Sequence, residues 1–293
     1  MAEKIQQQTN HWMNEVDDLI RGASGGFLFG IPLLYTMEVW WIGSSVSMLR
    51  AMLALILTFA IVFLLNRTAG FRKTADSNPQ DDAMDTIEAM AIGLICAGII
   101  LILLREITLD TPLNEALGKI IYEGVPFTLG VALANQFLAG NENGKAKGPE
   151  GESKQTRKNT RLNATLSDIG GTLIGATIIA FNIAPTDEIP MLAAAVSGLW
   201  LLGIMGASLV ISYAIVFEAG FANQEKRQQQ QGIFQRPASE TIASYLLSLL
   251  AALAMLVFFG KLNSQDAWQT WLSYTILLGL PATVGGAAGR LAV

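Results

Sequence analysis

The sequence predicts an all-α, polytopic membrane protein of about eight transmembrane helices, arranged as two parallel four-helix repeats. Three observations carry that expectation. Of 293 residues, 52% are hydrophobic and only 15% are charged, whereas a soluble domain carries about 25% Asp, Glu, Lys and Arg. Apolar stretches of the ~20 residues needed to cross a ~30 Å hydrocarbon core recur along the whole chain, whose mean hydropathy is +0.42. The first half of these stretches shares ordered motifs with the second half.

The expected spans are residues 22–43, 47–65, 86–104, 113–138, 164–184, 190–218, 240–260 and 268–290. Lipid offers backbone groups no water to bond, so each span must satisfy them internally as a helix. No alternating ten-residue pattern suggests a barrel. Met48 to Leu65 and Met90 to Leu104 are nearly pure Leu, Ile, Ala, Val and Phe, while the first, fourth and fifth spans carry more glycine and some acids. In residues 1–21, Ile5, Trp12, Met13, Val16, Leu19 and Ile20 recur at helical spacing among polar residues. That pattern predicts an amphipathic helix on the membrane surface, or one that docks a partner. The opening MAEKIQQQTN lacks the apolar core of a cleavable signal peptide. Residues 66–85, 139–163 and 219–239 are long, hydrophilic and expected to be flexible, with 139–163 linking repeats at 22–138 and 164–293. The connections near 44–46, 105–112, 185–189 and 261–267 are short.

Charge sharpens the class. Lys+Arg 19 against Asp+Glu 24 gives a formal net charge of -5, which argues against a nucleic-acid partner. Cys96 is the single cysteine and His11 the single histidine, so an intramolecular disulfide, a cysteine zinc site and a multi-histidine metal site are excluded. No cofactor is expected. Lys4, Arg21, Arg67, Arg72, Lys73, the basic residues of 139–163, Lys226, Arg227, Arg236 and Arg290 fall on one side of the membrane. Arg50, Arg105 and Lys261 fall on the other, with Lys119 inside the fourth span. The positive-inside bias then predicts that both termini are cytoplasmic.

The repeat rests on four matches in the same order. Gly25-Gly26-x-Leu28-x-Gly30 recurs as Gly170-Gly171-x-Leu173-x-Gly175, and Phe59-Ala60-Ile61-Val62-Phe63 as Tyr213-Ala214-Ile215-Val216-Phe217. Asp85-Thr86-Ile87 matches Glu240-Thr241-Ile242, and Gly124 to Ala132 matches Gly279 to Ala287 as G-x-P-x-T-x-G-x-A. The offset is 145 in the first match and 154 or 155 in the others, so the second copy is longer between its first two spans. An even number of spans per copy makes the copies parallel. The run from Arg21-Gly22 through Gly30-Ile31-Pro32-Leu33-Leu34-Tyr35-Thr36-Met37-Glu38-Val39-Trp40-Trp41 resembles an uncharacterised family of bacterial integral membrane proteins. The resemblance implies a membrane fold and no particular substrate.

Ionisable groups inside spans are costly and are therefore the functional candidates. Glu123 lies about 15 Å into the fourth span, and Pro126 frees the carbonyl of Tyr122 beside it. That pair reads as a cation or proton site, or else Glu115, Lys119 and Glu123 form an ion-pair ladder at four-residue spacing. Glu38, next to the interfacial pair Trp40 and Trp41, either lines a pathway or reaches the headgroups. By offset, Glu38 falls near Asn182, and Glu123 corresponds to Leu278. Asp168 is an inner vestibule acid or a first-turn helix acid, like Asp85 and Glu240. Thr128 and Thr283, with the carbonyls of Tyr122 and Leu277, either face a pathway or pack tightly. Pro126, Pro281 and Pro32 are the expected kinks and gates.

No G-x-S-x-G, P-loop or H-E-x-x-H is present, and a non-enzymatic role follows. The expected function is conduction or transport of a small cation or protons near the repeat interface. The alternatives are a structural or assembly protein without a solute pathway, and a lipid or small-molecule transporter suggested by Trp40, Trp41, Trp268 and Trp271. The lipid bilayer is the expected partner, with a homodimer as the commonest closed assembly.

Overall fold

The computed structural model describes residues 2–69, 78–138, 154–219 and 237–292, and every regular element among them is helical. In chain order these are α1 (Ala2–Leu34), α2 (Met37–Ser45), α3 (Met48–Ala69), α4 (Pro79–Leu103), α5 (Leu113–Leu138), α6 (Lys154–Ile183), α7 (Glu188–Ala195) and α8 (Gly198–Tyr213). A π turn (Ala214–Glu218) continues α8, and α9 (Pro237–Phe258) and α10 (Trp268–Leu291) complete the chain. Among the described residues, seven helices are long and apolar enough to cross a membrane, and the bent pair α1–α2 makes up to eight.

The spans at 113–138 and 268–290 coincide with α5 and α10 within a residue. The first expected span does not hold as one rod. Residues Glu15–Leu34 and Met37–Ser45 meet at 93°, so Trp40 and Trp41 lie on a separate short helix. Trp40 is 0% exposed and donates its indole N–H to the Leu34 carbonyl at 2.8 Å, covering the end of α1. It therefore belongs to the core, and only Trp41 is exposed. The span expected at 190–218 is likewise divided, at Val196-Ser197, into α7 and α8. The expected surface helix at 1–21 is continuous with the first crossing, because nothing from Arg21 to Ala23 interrupts the helical hydrogen bonds. Helical structure also claims the edges of the connections: α3 runs to Ala69, α4 starts at Pro79 under an Asn78–Asp81 capping box, and α6 starts at Lys154. The rest of the three long connections (70–77, 139–153 and 220–236) lies outside the described residues.

Between membrane helices there is no hydrophobic driving force, so close packing has to come from small residues. The recurring motifs supply them to each other. Gly25 of α1 packs on Gly130 and Ala134 of α5, and Gly30 lies under the Phe127 ring. Gly175 of α6 packs on Gly285 of α10, and Gly171 on Gly289, with no room for a Cβ. In the first half α5 is the hub, packed on α1, α4, α2 and α3; in the second half α10 is the hub, packed on α6, α9, α8 and α7. The proline helices α5 and α10 are thus not an extensively packed pair around a common axis. The most extensive contact between the halves is made by α1 against α10 and the π turn.

Inter-half bonds run along the second half of α1 and just beyond its end. At one end the Arg21 guanidinium donates to the Ala219 carbonyl at 3.3 Å. At the other end the Tyr35 hydroxyl donates to the Leu277 carbonyl at 2.8 Å, and Met37 N–H donates to the Glu188 carboxylate at 3.3 Å. There too, the Trp200 indole donates to the Leu103 carbonyl, and the Arg105 guanidinium lies 5.4 Å from the Trp200 ring. Arg105 and Lys261 therefore lie toward one end of the bundle, and Arg21 and Arg290 toward the other.

Candidate functional site

Arg105 ends α4 in the left-handed region, with φ 63. This turn lets the N–H groups of Glu106 and Ile107 both reach the Leu101 carbonyl, at 2.9 and 3.3 Å. It also brings Glu106 against α5. The Lys119 ammonium donates to the Glu106 carbonyl at 2.9 Å and to its carboxylate at 3.3 Å, and pairs with Glu115 one turn away at 3.1 Å. The backbone of Gly43 in α2 rests on Gly118 and Lys119, so this group sits under the short helix.

Glu123 follows one turn deeper in α5. It is 1% exposed, and its Oε1 has no hydrogen-bond partner among the described residues. The expected ladder is therefore only half formed: Lys119 spends its charge on Glu115 and Glu106, and Glu123 stands outside the ion pairs. Glu106 is close enough to act on Glu123 electrostatically. Two carboxylates share one ammonium, and a third charged group left open inside low-dielectric surroundings is expensive. Tyr122 is half-buried beside it.

A second buried acid was not foreseen. Glu188, assigned by sequence to a short connection, is the first residue of α7 and is 5% exposed. One carboxylate oxygen caps α2 through Met37, and Oε2 has no partner among the described residues. A usable signal existed in the sequence. Glu38-Val39 and Val46-Ser47-x-Leu49 recur as Glu188-Ile189 and Val196-Ser197-x-Leu199 at an offset of 150. Counting from the helix breaks, Glu38 therefore corresponds to Glu188 rather than to Asn182.

The remaining candidates are dispersed. Glu38 is exposed in the first turn of α2. Asn182 is exposed and bonds back to the Ile178 carbonyl at 2.8 Å within its own helix. Asp168 is half-buried near the start of the α6 crossing. Thr128 is buried against Gly93 of α4, and the Thr283 hydroxyl donates to the Gly279 carbonyl at 2.6 Å. Each threonine is buried within its own half. Helices α5 and α10 run unbroken through Pro126 and Pro281. Pro281 removes the N–H that would bond Leu277, and the Tyr35 hydroxyl takes its place. The sharp bend instead follows Pro32, which lines an apolar cavity of about 380 Å³ between α1, α6 and α10.

Among the described residues, no group of three or more His, Cys, Asp or Glu side chains is placed to hold a metal ion. The acids near α5 are spread along a helix and a loop, so they can bind protons or engage a cation singly.

No curated protein and no solved structure matches the chain. One family profile does, over residues 18–293. The chain is a multi-pass integral membrane protein and belongs to the family described as "putative integral membrane protein (DUF2391)".

Proposed function

We propose that the protein moves protons or a small cation across the membrane, with Glu123 as the group that is loaded and unloaded. One observation carries this reading: a carboxylate 1% exposed, about 15 Å into a crossing helix, with an oxygen left open while the nearby lysine is occupied by Glu106 and Glu115. Such a group is stable only when it holds a proton or a cation. Glu188 is the second candidate, because it joins the two halves where the α1–α2 break meets the α6–α7 connection. Broken helices at membrane depth are tolerated where they are buried or line a pathway.

The same proposal treats the halves as copies of one four-helix unit, non-enzymatic, in a bacterial inner membrane with both termini cytoplasmic. Support comes from equivalent helix pairings around α5 and α10 and from two left-handed helix ends, Arg105 and Gly260, spaced by the offset of the last two sequence matches. A homodimer remains the expected assembly. The apolar cavity at Pro32 favours a second reading, carriage of a lipid or small apolar molecule between the halves.

Proton flux into liposomes carrying the full chain and a trapped pH dye, driven by a potassium diffusion potential, tests the first reading. Wild type should acidify the lumen faster than empty vesicles, Glu115→Gln should retain that flux, and Glu123→Gln should abolish it. Flux equal to that of empty vesicles, or unchanged in Glu123→Gln, sinks the assignment.

A further inference from the structure

Lys119 stands between two sets of acids on α5. Its ammonium has three oxygens within 3.3 Å: the Glu106 carbonyl, a Glu106 carboxylate oxygen and a Glu115 carboxylate oxygen. An ammonium has three N–H groups, so the present partners match its whole donor set. All of them belong to the loop after α4 and the first turn of α5, on the Arg105 side of Lys119. Glu123 lies at the same four-residue spacing on the other side, one turn deeper. Long side chains on a helix lean toward its N-terminus, which favours Glu115 over Glu123 as the partner of Lys119. The observed pairing is thus the one that helix geometry prefers while Glu123 carries no charge.

Solvent access reverses that preference once Glu123 is ionised. The Glu115 and Glu106 side chains are 31% and 14% exposed, so a carboxylate released there keeps part of its hydration. Glu123, at 1% exposure, keeps none. A solvated ion pair contributes little, whereas an unpaired buried charge costs a great deal. The helix need not move to answer it. A Cβ on Gly43 of α2 would meet the Lys119 Cα at 2.8 Å, so the Lys119 backbone is held and only its flexible four-carbon stem is free to swing. Nor does the packing require these charges. Helix α10 makes the equivalent contacts with Thr270, Tyr274 and Leu278 at the positions of Glu115, Lys119 and Glu123.

We propose that Lys119 is a tethered counter-ion that trades places with the proton on Glu123, and that the species moved is the proton rather than a metal cation. This rests on the transport reading of Glu123 and deepens it. With the proton on Glu123, Lys119 stays with Glu106 and Glu115. When the Glu123 O–H bond breaks, the proton passes to water on one side of the membrane as hydronium. The carboxylate left behind draws the ammonium one turn deeper and accepts one of its N–H groups, while Lys119 keeps all three hydrogens. A proton arriving from the other side restores the O–H bond, and the ammonium returns to Glu106 and Glu115. A sodium ion would have to displace a positive charge already attached to the site, so sodium is excluded. Lys119 is a positioning residue in this cycle, because it sets the charge around Glu123 without carrying the proton.

Liposomes carrying the full chain, with proton flux and sodium entry followed by trapped dyes, test this. Wild-type proton flux should be the same in sodium and in choline, with sodium entry no faster than into empty vesicles. Lys119→Met should cut proton flux about a hundredfold, the lower end of what an unpaired buried charge costs. Lys119→Arg, which keeps the charge, should hold flux within about tenfold of wild type. Wild-type flux that requires sodium overturns the proposal without any variant. Flux unchanged in Lys119→Met overturns it too, as does a loss that Lys119→Arg shares in full, which would mark a packing role. Absence of wild-type flux, or flux unchanged by Glu123→Gln, instead removes the transport reading on which the proposal rests.

Discussion

Helices α5 and α10 occupy equivalent places, each the hub of its half, yet their polar content differs sharply. Glu115, Lys119 and Glu123 in α5 stand where α10 has Thr270, Tyr274 and Leu278. Across the following contact the same asymmetry holds: Glu106, which reaches Lys119 in the first half, is matched by Lys261, which instead pairs with Asp187 at 2.8 Å. The second half carries a further ion pair at the opposite end, between Arg290 and Glu240. Shared packing thus fixes where helices go, and the charges superimposed on it decide where chemistry is available.

Moving a charge into the apolar hub is the harshest way to break this comparison. Leu278→Glu should destabilise the protein by about 3–5 kcal/mol, because Leu278 is 0% exposed and brings no lysine with it; unfolding in detergent reads the loss. Equivalent glycines come next. Gly25 abuts α5, whereas a Cβ at Gly170 meets nothing within 4 Å. Gly25→Leu should therefore cost about 3 kcal/mol and Gly170→Leu stay within about 0.5 kcal/mol of wild type. Equal losses in parallel thermal melts would show that the halves pack more alike than the glycines imply.

Tyr35→Phe should cost about 1–2 kcal/mol, since it strands the Leu277 carbonyl in the core, and the same melts detect it. Arg105→Gly, which copies the residue at position 260, sets opposing effects against each other. Relief of a left-handed non-glycine, worth about 1–2 kcal/mol, is offset by glycine's greater entropy loss on folding and by losing the Trp200 contact. A net change within about 1 kcal/mol is expected from denaturant midpoints.

Much of the fold was legible because hydropathy measures what lipid demands. The crossings at α3, α4, α5, α9 and α10 follow from runs of apolar residues, and the small-residue motifs marked real packing faces. Hydropathy carries no information about direction, which is why the 93° turn at Tyr35-Thr36 and the break at Val196-Ser197 escaped it. Apolar residues lie on both sides of each break. Glu123 was legible as a lone acid amid apolar residues, but its electrostatic setting was not. Glu106 comes from a loop on the far side of a left-handed turn, and only the folded chain brings it to Lys119. Glu188 was missed for the opposite reason: next to Asp187 and Pro190 it reads as loop, and its burial depends on the N-terminus of a helix 151 residues earlier.

The Tyr35–Leu277 bond also sets an order for biogenesis. Its partners are 242 residues apart, so at ~5–20 residues per second of synthesis the Tyr35 end of α1 waits on the order of ten to fifty seconds for its acceptor. During that interval the first half must hold itself in the bilayer through its own glycine contacts. A chain stopped before α10 would present an unlatched α1 corner, a visible mark by which a membrane protease could separate unfinished copies from finished ones.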